Sequence, residues 1–275
     1  DACNDTGIDF EELLFTQNDK LDKTEFTQPA IVLNSLMSYL VFLNFIKAKP
    51  EFSLGHSLGE FTALAVSGAF SFIEAIRLVN LRGKFMQEAC VGKDAGMMVV
   101  LGLNDEVVEG ICKEAQDEGL QIYAANYNCD GQIVVAGVRA DLAKYEAKFK
   151  EAGAKRAMLL NMSVASHCPI LEPASVRLAG ELEGVLATNF APVVSNVNAK
   201  IYTDKNEALV LLKEQLTHPV RYKQSIKNYE NEVDCFIELG AATLKGINKK
   251  ITEKPTYSVT DMASLEEVVK ILEER

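Results

Sequence analysis

Residues Gly55-His56-Ser57-Leu58-Gly59 constrain this chain more than any other stretch. They lie between a short apolar run, Glu51-Phe52-Ser53-Leu54, and a segment from Leu58 to Ala69 with helical spacing and small residues along one side. Gly-x-Ser-x-Gly between a strand and a helix is the pattern of a nucleophile elbow. The two glycines let the backbone turn sharply and let strand and helix pack closely. The serine oxygen then stands clear of the sheet, with the N–H of Leu58 beside it. A strand that feeds a helix in this way belongs to an α/β fold.

The order of elements elsewhere agrees with that class. Residues 1–50 read as helical, with Thr27-Gln28-Pro29 opening a long apolar helix, because proline is favoured in a first helical turn. Helical runs continue over 58–69 and 71–89, and glycines at 92 and 96 break the pattern. Segment 96–161 then has its own order. Met97–Leu101, Gln121–Asn126, Gln132–Gly137 and Arg156–Asn161 read as strands, with a turn at Asn128–Gly131. Helices are expected from Asn104 to about Glu118, where Asp105 and Glu106 suit the helix dipole, and over Asp141–Ala152. That is the β-α-β-β-α-β order of a ferredoxin-like unit. Beyond it, Val193–Val197 and Cys235–Leu239 are short β-prone runs among helices. The expected organisation is a main domain in two parts, 1–93 and 163–275, built on a parallel sheet, with a smaller subdomain inserted at 94–162.

The chain has 275 residues, 48% of them hydrophobic, which is ample for a buried core. Its net charge of −11 argues against nucleic acid and against an anionic membrane surface as main partners. The six cysteines are scattered with no C-x-x-C pair, which suits neither a zinc site nor a disulfide framework. They read as reduced, mostly buried thiols of a cytoplasmic protein. The chain opens Asp-Ala-Cys-Asn-Asp, with no secretory leader and no initiating Met, and is expected to lack its native beginning. Its most apolar stretch, Pro29 to Ile46, is interrupted by Asn34, Ser35, Ser38 and Asn44 and reads as a buried core helix rather than a membrane span.

A serine nucleophile needs a base, and the chain holds three histidines. His56 adjoins Ser57 and, in extended backbone, points to the opposite side, as a structural contact would. His167 lies in the polar break Ser163-Val164-Ala165-Ser166-His167-Cys168-Pro169, and His218 in Leu216-Thr217-His218-Pro219. Spacing does not rank His167 above His218. Arg77 and Arg82 lie on a mostly apolar helical run, where a guanidinium must be paired or face a cavity. Glu74 and Glu88 are the structural partners on offer; the functional alternative is a fork that grips a substrate carboxylate. Gln28 and Gln215, near prolines, read from position alone as turn or capping residues. The run from Gly240 to Gly246 has the look of a weak phosphate cradle at a helix start.

Taken together, these stretches resemble the malonyl-CoA:acyl carrier protein transacylases. The matching segments are Thr27-Gln28-Pro29-Ala30, Gly55 to Glu60, Leu81 to Ala89, Asn126-Tyr127-Asn128 with Gln132 to Gly137, Ser166 to Pro169, and Gln215 to Val220. They keep the family's order over nearly the whole chain. The resemblance implies Ser57 as nucleophile and His167, rather than His218, as base. It implies Arg82 as the arginine that binds the free carboxylate of malonate, and the N–H of Leu58 as an oxyanion donor. Gln215 matches the residue whose main-chain carbonyl orients the histidine, and Gln28 an active-site glutamine. The family fold is an α/β-hydrolase-like domain with a ferredoxin-like insert.

The activity this resemblance implies is ping-pong transfer of malonyl from malonyl-CoA to the phosphopantetheine thiol of acyl carrier protein. It would need no metal and no cofactor, in a monomeric cytoplasmic enzyme of fatty acid synthesis. The family opens on a strand and a Gly-Gln-Gly-Ser-Gln loop that supplies a second oxyanion donor, and nothing here matches it. Ala165 stands where proline is frequent. A basic patch for the acidic carrier is expected among Lys155, Arg156, Lys200, Lys245, Lys249 and Lys250. The alternatives are a serine hydrolase such as a thioesterase, which needs an acid beside its histidine, and an inactive truncated fragment.

Overall fold

The structure is a computed structural model and describes residues 1–47, 49–162 and 164–274. Ser163, first residue of the expected polar break, lies outside them. Helices α1 (Ala2–Thr6) and α2 (Phe10–Phe15) lead into the long α3 (Thr24–Phe42). Pro29 does not open this helix, as its position suggests, but lies more than a turn inside it. Proline has no N–H to offer the carbonyl four residues back, here that of Glu25. The side chain of Asn80 substitutes for it: Nδ2 donates to Glu25 O at 2.8 Å. A second correction concerns burial. Ala30, Val32, Leu36 and Phe42 are buried, but Ile31, Met37 and Leu40, and Phe45 just beyond the helix, are exposed. The apolar residues run round the whole circumference, whereas the body covers one side.

The extended segment before the elbow is shorter than expected. It contributes one parallel bridge, Ser53 to Val193. After the turn come α4 (Gly59–Val66) and α5 (Phe72–Cys90), the latter capped by Ser71, whose hydroxyl accepts from Glu74 N. α5 crosses α3 closely at Gly83, where a Cβ would stand 2.6 Å from Glu25 Cα.

The next elements are β1 (Ala95–Leu101), α6 (Asp105–Asp117), β2 (Ile122–Cys129), β3 (Gln132–Val138), α7 (Arg139–Glu151) and β4 (Arg156–Leu159). The four strands form one antiparallel sheet in the order β2-β3-β1-β4. Alternation along a strand sends successive side chains to opposite faces. Met98 and Val100 accordingly join a core with Val108, Leu142 and Phe149, while Met97, Val134 and Ala136 join the core of the body. Burial on both faces explains why β1 reads as an unbroken apolar run.

The chain then returns to the body through α8 (Glu172–Glu183), β5 (Asn189–Val194), β6 (Ile201–Asp204), α9 (Lys205–Gln215), α10 (Tyr222–Tyr229), β7 (Phe236–Leu239), α11 (Thr243–Asn248), β8 (Thr256–Val259) and α12 (Met262–Glu273). β5 and β6 pair antiparallel, and β7 and β8 parallel. Parallel pairing in the body is thus confined, among the described residues, to β7–β8 and to isolated bridges. Its main core is lined chiefly by helix faces of α3, α4, α5 and α8. The mixed α/β class stands. No helix among the described residues is long and apolar enough to cross a membrane. Cys90, Cys112, Cys129 and Cys168 are buried free thiols.

Candidate active site

The elbow turns because two conditions are met. At Gly55 a Cβ would lie 2.0 Å from the Gly59 carbonyl carbon, so only glycine fits. Ser57 adopts the left-handed region, φ 54°, which costs a non-glycine residue free energy and persists only when its surroundings over-determine it. They do so here. Ser57 N donates to Asn196 Oδ1 at 2.7 Å, and Ser57 O accepts from Gln215 Nε2 at 3.1 Å. Asn196 Nδ2 also donates to Gly55 O at 2.7 Å.

The hydroxyl this turn presents meets His167, whose Nε2 lies 2.8 Å from Ser57 Oγ. On the far side of the ring, Nδ1 lies 2.7 Å from the main-chain oxygen of Gln215. A carbonyl only accepts, so Nδ1 carries the proton and Nε2 is free to accept from the serine. His167 is itself at positive φ, 58°, and buried. Burial first, then the charge of Arg82, push its pKa down to about 3, so the ring is neutral at physiological pH.

Arg82 reaches the same oxygen from α5. Its side chain is fully enclosed, at 1% exposure. Nη2 donates to Ser57 Oγ at 2.9 Å and to Gln215 Oε1 at 3.1 Å, and Nη1 donates to Gln28 Oε1 at 2.7 Å. Among the described residues Nε finds no partner, and no carboxylate bonds to this guanidinium. Arg77, about one and a half turns earlier, is by contrast held by Glu74 and Glu181. Of the two arginines, only Arg82 is free of a structural ion pair. Burial lowers its pKa to about 10, and the nearby Glu60 charge opposes that shift. Gln28 is anchored in turn, with Nε2 donating to Thr24 Oγ1 at 2.7 Å.

Ser57, His167, Arg82, Gln28 and Gln215 therefore converge, although they come from the elbow, the 164–169 segment, α5, α3 and α9. Leu58, at the N-terminus of α4, adjoins the nucleophile directly. His56 faces away: its Nε2 lies 2.8 Å from Asn128 Oδ1, and its ring packs on Tyr222. His218 is exposed, with Nδ1 3.0 Å from Glu214 O. The Gly240–Gly246 run holds no open phosphate cradle. The carboxylate of Glu238 already accepts from Leu244 N and Lys245 N, both at 2.8 Å.

Three residues at the site escape sequence reasoning: Asn196, Tyr202 and the side chain of Glu60. One signal exists for Asn196, a polar residue two positions past the apolar end of β5. A polar group carried into the core by a strand must find partners there.

A family model described as "Acyl transferase domain" matches residues 2–269. The malonyl CoA-acyl carrier protein transacylase of Haemophilus influenzae is 39% identical over 92% of this chain and 83% of its own length. Among solved structures, the malonyl-CoA:acyl carrier protein transacylase of Helicobacter pylori superposes with a TM-score of 0.95 at 44% identity, covering 99% of this chain and 88% of that one. A malonyl-transacylase solved in complex with a type II PKS acyl-carrier protein gives a TM-score of 0.93 at 36% identity over 98% of this chain and 89% of that one. With a serine–histidine pair and a buried arginine at its centre, the chain belongs to the acyl transferase domain family.

Proposed function

We propose that this chain transfers malonyl from malonyl-CoA to the phosphopantetheine thiol of acyl carrier protein through an acyl-serine. The observation that carries the reading is the sharing of Ser57 Oγ by a neutral imidazole and a buried guanidinium. In the first half-reaction His167 Nε2 takes the hydroxyl proton as Ser57 Oγ attacks the thioester carbonyl carbon. The oxyanion is met by backbone N–H, that of Leu58 among them. Collapse breaks the carbon–sulfur bond, and the departing coenzyme A thiolate takes the proton from His167. In the second half-reaction the carrier thiol gives its proton to His167 and attacks the acyl-serine; Ser57 leaves and recovers a proton. A carbonyl in place of a carboxylate behind the histidine separates this arrangement from a Ser-acid-His hydrolase.

Arg82 is the malonyl clamp. The substrate carboxylate displaces internal acceptors from the guanidinium and gives the buried cation a charged partner. An acetyl group would leave that cation unpaired, which is the basis of selectivity. The arriving anion also relieves the Arg82 charge, one of the causes that hold His167 low.

We read residues 94–162 as a ferredoxin-like insert, supported by the β-α-β-β-α-β order and the strand order β2-β3-β1-β4. The parts before and after it form an α/β-hydrolase-like body. Intact mass after mixing with malonyl-CoA, beside Ser57→Ala, tests the function. A malonyl adduct absent from the variant is the expected result; an adduct that survives the substitution would dismiss Ser57 as nucleophile.

A further inference from the structure

Among the described residues, Glu60 is the one carboxylate enclosed at the site, and the acyl-transfer chemistry above does not use it. It is 1% exposed, in the first turn of α4, just past the elbow. Oε2 accepts from Gln215 Nε2 at 2.7 Å and from Asn196 N at 3.2 Å, and Oε1 accepts from the Tyr202 hydroxyl at 2.8 Å. All three partners are donors, so an acceptor-only group fits the position.

Two of these partners are the residues that hold the nucleophile and its base. Asn196 binds the elbow at Gly55 O and Ser57 N. Gln215 binds Ser57 O through its side chain and His167 Nδ1 through its main chain. Both restraints meet at a single oxygen, Glu60 Oε2. We propose that Glu60 is a positioning residue for acyl transfer, setting the separation of Ser57 from His167 by fixing Asn196 and Gln215 at once. The proposal rests on the functional reading given above.

The sense of the Gln215 amide depends on this contact. With Nε2 held by Glu60, Oε1 is left toward Arg82. Without an acceptor at 60, the amide loses its shortest contact and keeps only the longer ones to Ser57 O and Arg82. The elbow then loses a restraint on a left-handed serine, and misplacement of reacting atoms by about 1 Å costs on the order of a hundredfold in rate.

Two conservative variants separate reach from charge. Glu60→Asp keeps the charge but withdraws the carboxylate by about 1.5 Å, beyond hydrogen-bond range of its partners. Glu60→Gln keeps the reach: its oxygen takes the two donors at Oε2, and its amide nitrogen donates to the Tyr202 oxygen. The rate constant for malonyl-Ser57 formation is measured by quenched-flow mass spectrometry on the whole protein, per folded molecule by circular dichroism.

E60D is expected to lose roughly tenfold to a hundredfold at saturating malonyl-CoA, with the half-saturating concentration moving less than the rate constant. E60Q is expected to recover most of that loss. A purely structural role would lower the melting temperature and leave the rate per folded molecule unchanged in both. E60D at the parental rate, or E60Q as slow as E60D, overturns the proposal. Should E60D not fold, Glu60→Met takes its place with the same expected loss. A parent protein that gains no malonyl adduct rejects the functional reading instead, so the two failures are distinct.

Discussion

A serine hydroxyl has one proton and two lone pairs, and at Ser57 the proton and one lone pair are committed before substrate arrives. The proton faces His167 and a lone pair takes the Arg82 N–H. Arg82 is consequently a residue whose removal is felt unequally. Breaking a buried charge pair costs about 3–5 kcal/mol, which is roughly a hundredfold or more in rate. Arg82→Ala should lose that much in malonyl acylation and far less in acetyl acylation; equal losses in a two-substrate rate comparison would contradict the clamp. The acidity of His167 makes a second prediction. Protonation removes the base, and with a pKa near 3 that happens only well below neutral. The profile of kcat/KM, which reports the free enzyme, should stay within about twofold from about pH 7.5 to about pH 5. A fall centred near the ordinary imidazole pKa of about 6.5 would mean a solvated ring. Glu60, raised to about 7 by burial against its hydrogen bonds, titrates inside that window. The profile stays flat there because a protonated Glu60 makes the same contacts as glutamine.

Helix α3 carries a defect and its repair on different elements. Pro29 leaves Glu25 O without its helical donor, and Asn80 of α5 supplies one at 2.8 Å. Asn80→Ala should cost about 1–3 kcal/mol, the usual loss when a buried acceptor is orphaned, read as a lower urea midpoint with an unchanged slope. No loss of stability would mean the carbonyl finds another donor. This repair explains where sequence reasoning stops short. The elbow and the elements of 95–159 are legible because their signals are local: glycine spacing, alternation, turn residues, acidic first turns. The partner of Pro29 stands far along the chain on another helix, so the proline reads as a helix start. The exposed side of α3 is hidden for a similar reason, since an apolar sequence does not say which of its faces a neighbour covers.

At the scale of the molecule, the site is half legible. Ser57, Arg82 and the two candidate histidines stand out by residue type, and resemblance chooses between the histidines. Glu60, Asn196 and Tyr202 do not, because their value lies in meeting across separate segments. The four-stranded sheet and its helices are tied to the rest of the chain by similar long-range contacts. β2 bridges to Val220, and Lys223 on α10 pairs with Asp105 of α6 and with Asp130 in the β2–β3 turn. Lys223→Ala should weaken the protein by about 1 kcal/mol, as expected for a partly exposed pair. The loss should appear as faster amide exchange in the β2–β3 hairpin rather than in α5; uniform acceleration would assign the lysine to global stability. One further tie sits at His56, bonded to Asn128 of β2 and adjacent in sequence to the nucleophile. Through it the β2–β3 hairpin is bonded to the residue immediately before Ser57, so the four-stranded sheet and the elbow share one anchor.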